Sequence, residues 1–318
     1  MPAVTMPAMY VDAAGALELR QLPVPQIRDG QVLLRTLVSA VCGSDLHRFR
    51  GSMSYGCDTD VFGHESVGEI VASRVDGWEP GERVLHLPLP DEGRVFAPFQ
   101  VAHPSSLVAL PDSLDARQAV FGQQLGTVVH ARGLFWPSPT PPDSAYLAGA
   151  GPAGLMFVQL LKLLGCDQVF VAEPNSFRRS LATTFGAIDG ADASEVALAI
   201  DASGSVEARR DCTSRLRRGG TLGCFGLPDD EPGELEVSLL DLLINELRVV
   251  GAKSAQSVPG IPAFHEAIRL LQDDLIQVAS MTTHVVSLEE LPATCQAAAF
   301  LTEDVGKVLV DFAAEESA

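Results

Sequence analysis

The chain has 318 residues, 47% hydrophobic and 20% charged, which fits a globular protein of two domains. Its 22 Lys and Arg residues against 41 Asp and Glu residues give a formal net charge of −19, and so acidic a surface disfavours nucleic acid and anionic membranes as partners. No apolar segment approaches the length of a transmembrane helix and no secretory signal is visible, so we expect a cytoplasmic protein.

The first third of the chain reads as short strands broken by Gly and Pro, which is typical of a compact β-rich unit. Strands are predicted over residues 31–38, 66–72 and 82–85. Cys42 follows the first of these strands, and His64 and Glu65 directly precede the second. Sulfur, nitrogen and oxygen donors of this kind are what a catalytic zinc uses, with one position left open for substrate.

A helix is predicted over residues 114–134, and it leads into a Pro-rich stretch at residues 136–142. This stretch is either a short linker or a surface loop, and its length favours the loop. We expect the domain boundary near this stretch or slightly before it, within the predicted helix. The predicted division is residues 1–122 and 252–318 in one domain and residues 123–251 in the other.

From residue 144 onward, strands and helices alternate. Strands are predicted over residues 144–148, 168–172, 196–201, 221–225 and 248–250, and helices over residues 154–164, 176–185 and 206–216. This alternation predicts βαβ units and an α/β fold with a doubly wound parallel sheet. A helix over residues 261–271 and a strand over residues 307–310 should pack back on the N-terminal unit.

A glycine-rich turn connects the first of these strands to its helix. Gly149, Gly151 and Gly154 provide a tight turn, close backbone approach to a pyrophosphate, and close packing of helix on sheet. Glu173 ends the next strand, where a carboxylate accepts ribose hydroxyls and repels a 2′-phosphate, so NAD is favoured over NADP. The alternative is a glycine-rich turn that binds no ligand. Arg178 could weaken the preference for NAD by contacting a phosphate.

The order of these motifs resembles the zinc-dependent medium-chain dehydrogenase/reductase family over nearly the whole chain. The motifs are Cys-Gly-Ser-Asp-x-His at 42–47, Gly-His-Glu at 63–65, Gly-Glu-Arg-Val at 81–84 and Gly-x-Gly-x-x-Gly at 149–154. The resemblance implies a GroES-like β-rich catalytic domain and a Rossmann domain, with the active site between them. It also implies an NAD-dependent alcohol or polyol dehydrogenase with one catalytic zinc per chain, assembled as a homodimer or homotetramer.

The resemblance also implies roles for individual residues. Cys42, His64 and Glu65 match metal-binding positions, Ser44 matches the hydroxyl that touches the substrate alcohol, and His47 matches the solvent-facing outer end of its proton relay. The positions that match the cofactor site are Thr127, Gly149, Gly151, Pro152, Ala153, Gly154, Glu173, Arg178 and Lys307, the last beside the pyrophosphate. The substrate is a small alcohol or ketone whose identity the sequence does not fix.

Two departures from the family pattern concern the metal. The family's structural-zinc lobe carries four cysteines, but no cysteine lies between Cys57 and Cys166, so we predict no structural zinc. The third catalytic ligand is replaced by Gln123, whose neutral amide is a poor zinc ligand. Glu65 could be the third zinc ligand, with Gln123 hydrogen-bonded to a ligand rather than bound to the metal. Alternatively, Cys57 could supply the third ligand atom.

A third possibility is that the metal is lost. The chain would then be a zinc-independent NAD(P)H reductase of the same family, or a nucleotide-binding protein without catalysis. The favoured hypothesis is zinc-assisted oxidation of a secondary alcohol or polyol by NAD, or the reverse reduction of a carbonyl.

Overall fold

The structure, a computed structural model, describes residues 4–12, 16–49, 63–89, 92, 95–228, 233, 235, 237–300 and 304–312. Its strands are β1 (Thr5–Val11), β2 (Leu17–Pro23), β3 (Val32–Ala40), β4 (Glu65–Ser73), β5 (Arg83–His86), β6 (Phe99–Ala102), β7 (Leu107–Ala109), β8 (Ser144–Ala148), β9 (Gln168–Ala172), β10 (Ile188–Asp189), β11 (Val196–Asp201), β12 (Leu216–Cys224), β13 (Arg248–Gly251), β14 (Thr282–Val286) and β15 (Lys307–Asp311). Its α-helices are α1 (Gly43–Phe49), α2 (Ala116–Ala119), α3 (Gly122–Phe135), α4 (Pro152–Leu163), α5 (Ser176–Thr184), α6 (Val206–Ser214), α7 (Leu239–Ile244), α8 (Pro262–Gln272) and α9 (Leu291–Phe300).

The chain divides into two compact units. The first contains Met1–Gln124, Gln256–Asp274 and Val278–Ala318, and the second contains Leu125–Ala255 and Leu275–Gln277. None of the helices described is long and apolar enough to cross a membrane.

The main sheet of the first unit is mostly antiparallel. Its strand order is β14-β15-β3-β4-β5-β7, with β6 also paired to β3, and β1 and β2 form a separate two-stranded sheet. Buried and partly exposed residues alternate along most of β3, as expected for a strand with one face on a core. Ala40 of β3 pairs with Glu65 of β4 on one side and with Leu309 of β15 on the other. The end of β3 and the starts of β4 and β15 therefore meet at one place.

The second unit has a parallel sheet with the order β10-β9-β8-β11-β12-β13. All residues of β8 and β11 are buried, which explains their continuous apolar sequence, because helices cover both faces of such a sheet. The chain runs outward from β8 through β9 to β10, then returns to β11 on the other side of β8. A doubly wound sheet binds ligands at this reversal, beyond the carboxyl ends of its strands.

The prediction of a single helix over residues 114–134 is wrong. The structure ends α2 at Ala119 and begins α3 at Gly122. Between them, Phe121 and Gln123 donate their N–H groups to carbonyls three residues earlier, those of Gln118 and Val120. This tighter turn breaks the α-helical hydrogen-bond pattern.

Arg217 and Arg218, which directly follow the helix predicted over residues 206–216, lie in β12 and pair with Asp143 and Glu246. The structure ends α6 earlier, at Ser214.

Candidate functional site

A thiol, an imidazole and a carboxylate come together in the first unit. One ligand atom from each of Cys42, His64 and Glu65 lies within 4.8 Å of the other two. The side chain of Glu65 is fully buried; its Oε2 lies 2.6 Å from Nζ of Lys307, while its Oε1 accepts no hydrogen bond from the described residues. A buried carboxylate oxygen without a partner is costly, so Oε1 is available to a metal ion. The donor set therefore fits a zinc ion.

The strand register explains why these side chains meet. Cys42 lies two residues after the end of β3, and Glu65 is the first residue of the neighbouring strand β4. The backbone N–H of Val41 donates to the carbonyl of Val308 in β15, which brings that strand to the same place. Local sequence motifs point to Cys42 and Glu65, but the position of β15 beside them is seen only in the sheet.

Asp45 orients the imidazole of His64. One carboxylate oxygen, Oδ1, lies 3.2 Å from Nδ1 of His64, and Oδ2 accepts the backbone N–H of Cys42 at 2.9 Å. A carboxylate behind one ring nitrogen commonly orients a metal-binding histidine and leaves Nε2 for the metal. Burial alone would lower the pKa of His64, but Asp45 and the sulfur of Cys42 raise this pKa well above its usual value. The cluster therefore attracts positive charge.

Lys307 brings an ammonium group to the same carboxylate. Its Nζ lies 2.6 Å from Oε2 of Glu65 and 3.3 Å from Oε1 of Gln124, and Lys307 is only 1% exposed. Burial opposes the charge, but Glu65 and Cys42 raise the pKa of Lys307. We predicted a pyrophosphate contact for Lys307, whereas its ammonium is paired with Glu65 here. The pyrophosphate contact stays a prediction.

The other residues predicted for this site lie on nearby elements. Ser44 is in α1, with its Oγ 3.4 Å from Nε2 of His64. His47 is also in α1 but is buried, which differs from the solvent-facing ring that we expected. Gln123 is a buried residue near the start of α3. Cys57, the other candidate donor, lies outside the described residues.

In the second unit, the glycine-rich turn joins β8 to α4. A Cβ atom on Gly154 would lie 2.1 Å from the carbonyl oxygen of Gly149, so the helix can approach the turn only with glycine there. Gly149 has a φ of +101°, a conformation that favours glycine. Gly151 caps α4, Pro152 and a buried Ala153 form its first turn, and a Cβ on Gly151 would meet open space. This helix N-terminus is suited to a pyrophosphate.

Glu173 follows β9 and turns toward the glycine-rich turn. Its Oε2 accepts the N–H of Ala150 at 2.7 Å, its Oε1 accepts the N–H of Asn175 at 2.9 Å, and the residue is buried. Arg178 lies 3.5 Å from Oε1, so its guanidinium is paired with this carboxylate. Thr127 is a partly exposed residue of α3 in the same unit. The turn and the acidic residue predicted for the cofactor thus lie together.

Comparison with known protein families assigns the chain. Residues 28–103 match the family model of the alcohol dehydrogenase GroES-like domain, and residues 152–273 match that of the zinc-binding dehydrogenases. The chain belongs to the zinc-type medium-chain dehydrogenase/reductase family. The predicted GroES-like and Rossmann fold class is thereby confirmed.

Relatives of known activity cover almost the entire chain. D-arabinitol dehydrogenase 1 of Uromyces fabae is 27% identical over 90% of this chain and 91% of its own length. Sorbitol dehydrogenase of Bacillus subtilis is 24% identical over 96% of this chain and 97% of its own. Among solved structures, a proposed zinc-binding dehydrogenase from Sinorhizobium meliloti bound to NADP superimposes with a TM-score of 0.85 at 23% identity, covering 97% of this chain and 99% of the other.

These comparisons confirm the predicted enzyme class, an oxidoreductase that acts on alcohols with a nicotinamide cofactor. They also support zinc as a cofactor and a small molecule as substrate.

Proposed function

We propose that this family member uses NAD to oxidise a secondary alcohol or a polyol, with the assistance of one zinc ion, or reduces the corresponding ketone. The observation that carries this proposal is the meeting of Cys42, His64 and Glu65 within 4.8 Å around a buried carboxylate. The names of the sorbitol and D-arabinitol dehydrogenases favour a polyol.

Zinc would be held by Cys42, His64 and Glu65, with Gln123 behind them as a hydrogen-bonding side chain rather than a strong ligand. Bound zinc lowers the pKa of a coordinated hydroxyl group and polarises a carbonyl oxygen. Asp45 keeps Nδ1 of His64 occupied, at 3.2 Å, which would leave Nε2 available to zinc. No structural zinc is proposed.

Ser44 and His47 would carry the hydroxyl proton. Ser44 Oγ lies 3.4 Å from Nε2 of His64, where a hydroxyl can accept a proton from a substrate oxygen held beside that histidine. His47 follows one helical turn later in α1, and its imidazole is suited to pass the proton on near neutral pH.

The cofactor would bind to the second unit. Gly149, Gly151 and Gly154 would cradle the pyrophosphate at the start of α4, with Pro152 and Ala153 in the first turn. Glu173 would accept the ribose hydroxyls and disfavour a 2′-phosphate, which supports NAD over NADP. Thr127 on the nicotinamide side and Arg178 and Lys307 near the phosphates complete the proposed contacts.

Three broader proposals accompany this activity. Residues 1–122 and 252–318 would be the catalytic domain and residues 123–251 the dinucleotide domain. The chain would act as a homodimer or homotetramer. It would act in the cytoplasm, where its free cysteines stay reduced.

The test is to purify the protein from zinc-replete cells, measure zinc, and assay NAD reduction on a panel of secondary alcohols and polyols. Cys42→Ala should remove zinc and activity while NADH binding persists, because the nucleotide turn lies in the other unit. Cys166→Ala, a buried cysteine of the second unit, is the matched control and should retain zinc. Full activity of Cys42→Ala without zinc would refute the metal-assisted reaction.

A further inference from the structure

A second turn lies beside the glycine-rich turn of the second unit. It comprises residues 201–204 and follows β11, the strand next to β8. The chain reverses direction across the sheet between these two strands, and a dinucleotide binds at such a reversal. The turn at 149–154 and the turn at 201–204 therefore flank the same position at the carboxyl end of the sheet.

The two turns are packed directly against each other. The N–H of Ala202 donates to the carbonyl of Ala148 at 2.9 Å. A Cβ atom on Gly149 would lie 3.2 Å from both the backbone nitrogen and the Cβ of Ser203. A shift of the second turn would consequently move the backbone of Gly149.

Asp201 holds the second turn in shape. Its side chain is completely buried, and its Oδ1 accepts the N–H of Ser203 at 2.9 Å, the hydroxyl of Ser203 at 2.8 Å and the N–H of Gly204 at 2.9 Å. Its Oδ2 lies 3.4 Å from Nη1 of Arg209, which also donates to the carbonyl of Gly204 at 2.6 Å. A carboxylate that accepts several charge-assisted hydrogen bonds fixes the positions of its donors.

The same residue also ties a third turn, the one that follows β12. Its backbone carbonyl accepts the N–H groups of Phe225 and Gly226. A Cβ on Gly204 would lie 1.8 Å from the carbonyl oxygen of Leu227, so the two turns can approach each other this closely only with glycine at position 204. Burying a charged carboxylate costs free energy, and a neutral side chain would be enough to close a simple turn. The carboxylate fixes the turn at 201–204, and backbone bonds of residues 201 and 202 connect that turn to the ends of β12 and β8.

We propose that Asp201 is a positioning residue for the nicotinamide dinucleotide, one that acts through the backbone of Ser203 and Gly149. The inference rests on the proposed nucleotide site in this unit. Asp201 sets the shape of the turn that the pyrophosphate meets and makes no contact with the cofactor itself.

The experiment measures NADH affinity in Asp201→Asn by fluorescence, at a temperature where circular dichroism shows the variant to be fully folded. The amide retains the shape but places an N–H₂ or a neutral oxygen against three donors and Arg209. The dissociation constant of NADH and the KM for NAD should rise by about tenfold or more, while kcat at saturating NAD and the zinc content stay unchanged. A purely structural role would lower the melting temperature without changing this affinity.

Asp143→Asn is the matched control, because Asp143 is an exposed aspartate of the same unit that pairs with Arg217. If Asp201→Asn does not fold, Arg209→Met removes the charge partner, keeps the three donors, and should still raise the dissociation constant several-fold. An NADH affinity within about twofold of wild type in the folded variant overturns the proposal. Failure of the wild type to bind NADH or NADPH would instead refute the proposed nucleotide site, and the inference with it.

Discussion

At the scale of single residues, the proposed preference for NAD rests on Glu173, a buried carboxylate. Both oxygens accept backbone N–H groups, from Ala150 and Asn175, and Arg178 lies at 3.5 Å. These contacts fix the negative charge at the end of β9. A 2′-phosphate brought to this point would meet a fixed negative charge, while a ribose hydroxyl could donate to a remaining lone pair.

We therefore expect Glu173→Ala to raise the KM for NAD and to lower the KM for NADP. The substitution removes the repulsive charge and releases Arg178 to reach a phosphate. The ratio of the two kcat/KM values should shift towards NADP by about tenfold or more. Glu195→Ala, an exposed acidic residue of the same unit, should leave the ratio unchanged. An unchanged ratio in Glu173→Ala would remove its role at the ribose.

At the scale of elements, the connection between β5 and β6 is fastened by a buried acid. Glu92 accepts the N–H groups of Leu89 at 2.9 Å and His103 at 2.5 Å. One of its oxygens is also 3.5 Å from Nε2 of His86, whose Nδ1 lies 2.8 Å from Oε1 of Gln100. This part of the sequence lacks the four cysteines of the family's metal-binding lobe. Hydrogen bonds to one carboxylate hold the short connection instead.

These contacts of Glu92 predict that the stability of the fold depends on pH. Burial tends to raise the pKa of Glu92, but His86 and the two backbone N–H groups outweigh it and hold the pKa below its usual value. A carboxyl whose pKa is lowered by folding stabilises the fold above its unfolded pKa of about 4.3 and loses this contribution as pH falls through the folded value.

Glu92→Gln should therefore lower the free energy of unfolding at neutral pH by about 1–3 kcal/mol. The difference from wild type should shrink as the pH falls below about 4. Thermal unfolding followed by circular dichroism at a series of pH values measures both effects. Glu289→Gln, at an exposed position, is the control. A difference that is constant across this pH range would show that the charge of Glu92 does not stabilise the connection.

The elements differ in how well the sequence predicts them. The bounds of β8, β9 and β11 agree with the prediction, because buried parallel strands are continuous apolar runs that end at turn residues. The first two strands were not predicted, since β2 is largely exposed and lacks a clear alternation. The break between α2 and α3 was also missed: Gly122 stands at the start of α3, but a single glycine is tolerated inside a helical pattern.

The candidate site divides in the same way. Cys42, His64 and the glycines lie in short local motifs, whose roles follow from the residue types, their spacing and the family resemblance. Lys307 and Asp201 could not be assigned from spacing, because their roles depend on pairing between distant strands. Lys307 meets Glu65 only through the order β15-β3-β4, and the turn that Asp201 holds meets Gly149 only because β11 returns beside β8.

At the scale of the whole molecule, a chain with a net charge of −19 repels its own copies, so self-association needs an apolar surface. Helix α7 offers one. Its residues Leu239, Leu240, Leu243 and Ile244 are 61–70% exposed. The helix precedes β13, a terminal strand of the parallel sheet whose outer side has no partner among the described strands. This surface supports the proposed homo-oligomer.

Replacing Leu240 and Leu243 with Asp should convert the oligomer to monomers, because burial of large aliphatic groups is worth about 1.5–3 kcal/mol each and two new charges add repulsion. Light scattering coupled to size-exclusion chromatography gives the mass directly. Leu163→Asp changes another exposed leucine, at the end of α4, and should leave the mass unchanged. An oligomer that survives the double substitution would exclude α7 from the contact.

The pairing of Lys307 with Glu65 also affects the order of biosynthesis. The second unit is nearly continuous in the chain and precedes β15, which is the last strand to be synthesised. Until that last strand joins the sheet, Glu65 lacks its lysine partner. A chain that ends before β15 would therefore leave this carboxylate without the ammonium group that neutralises it.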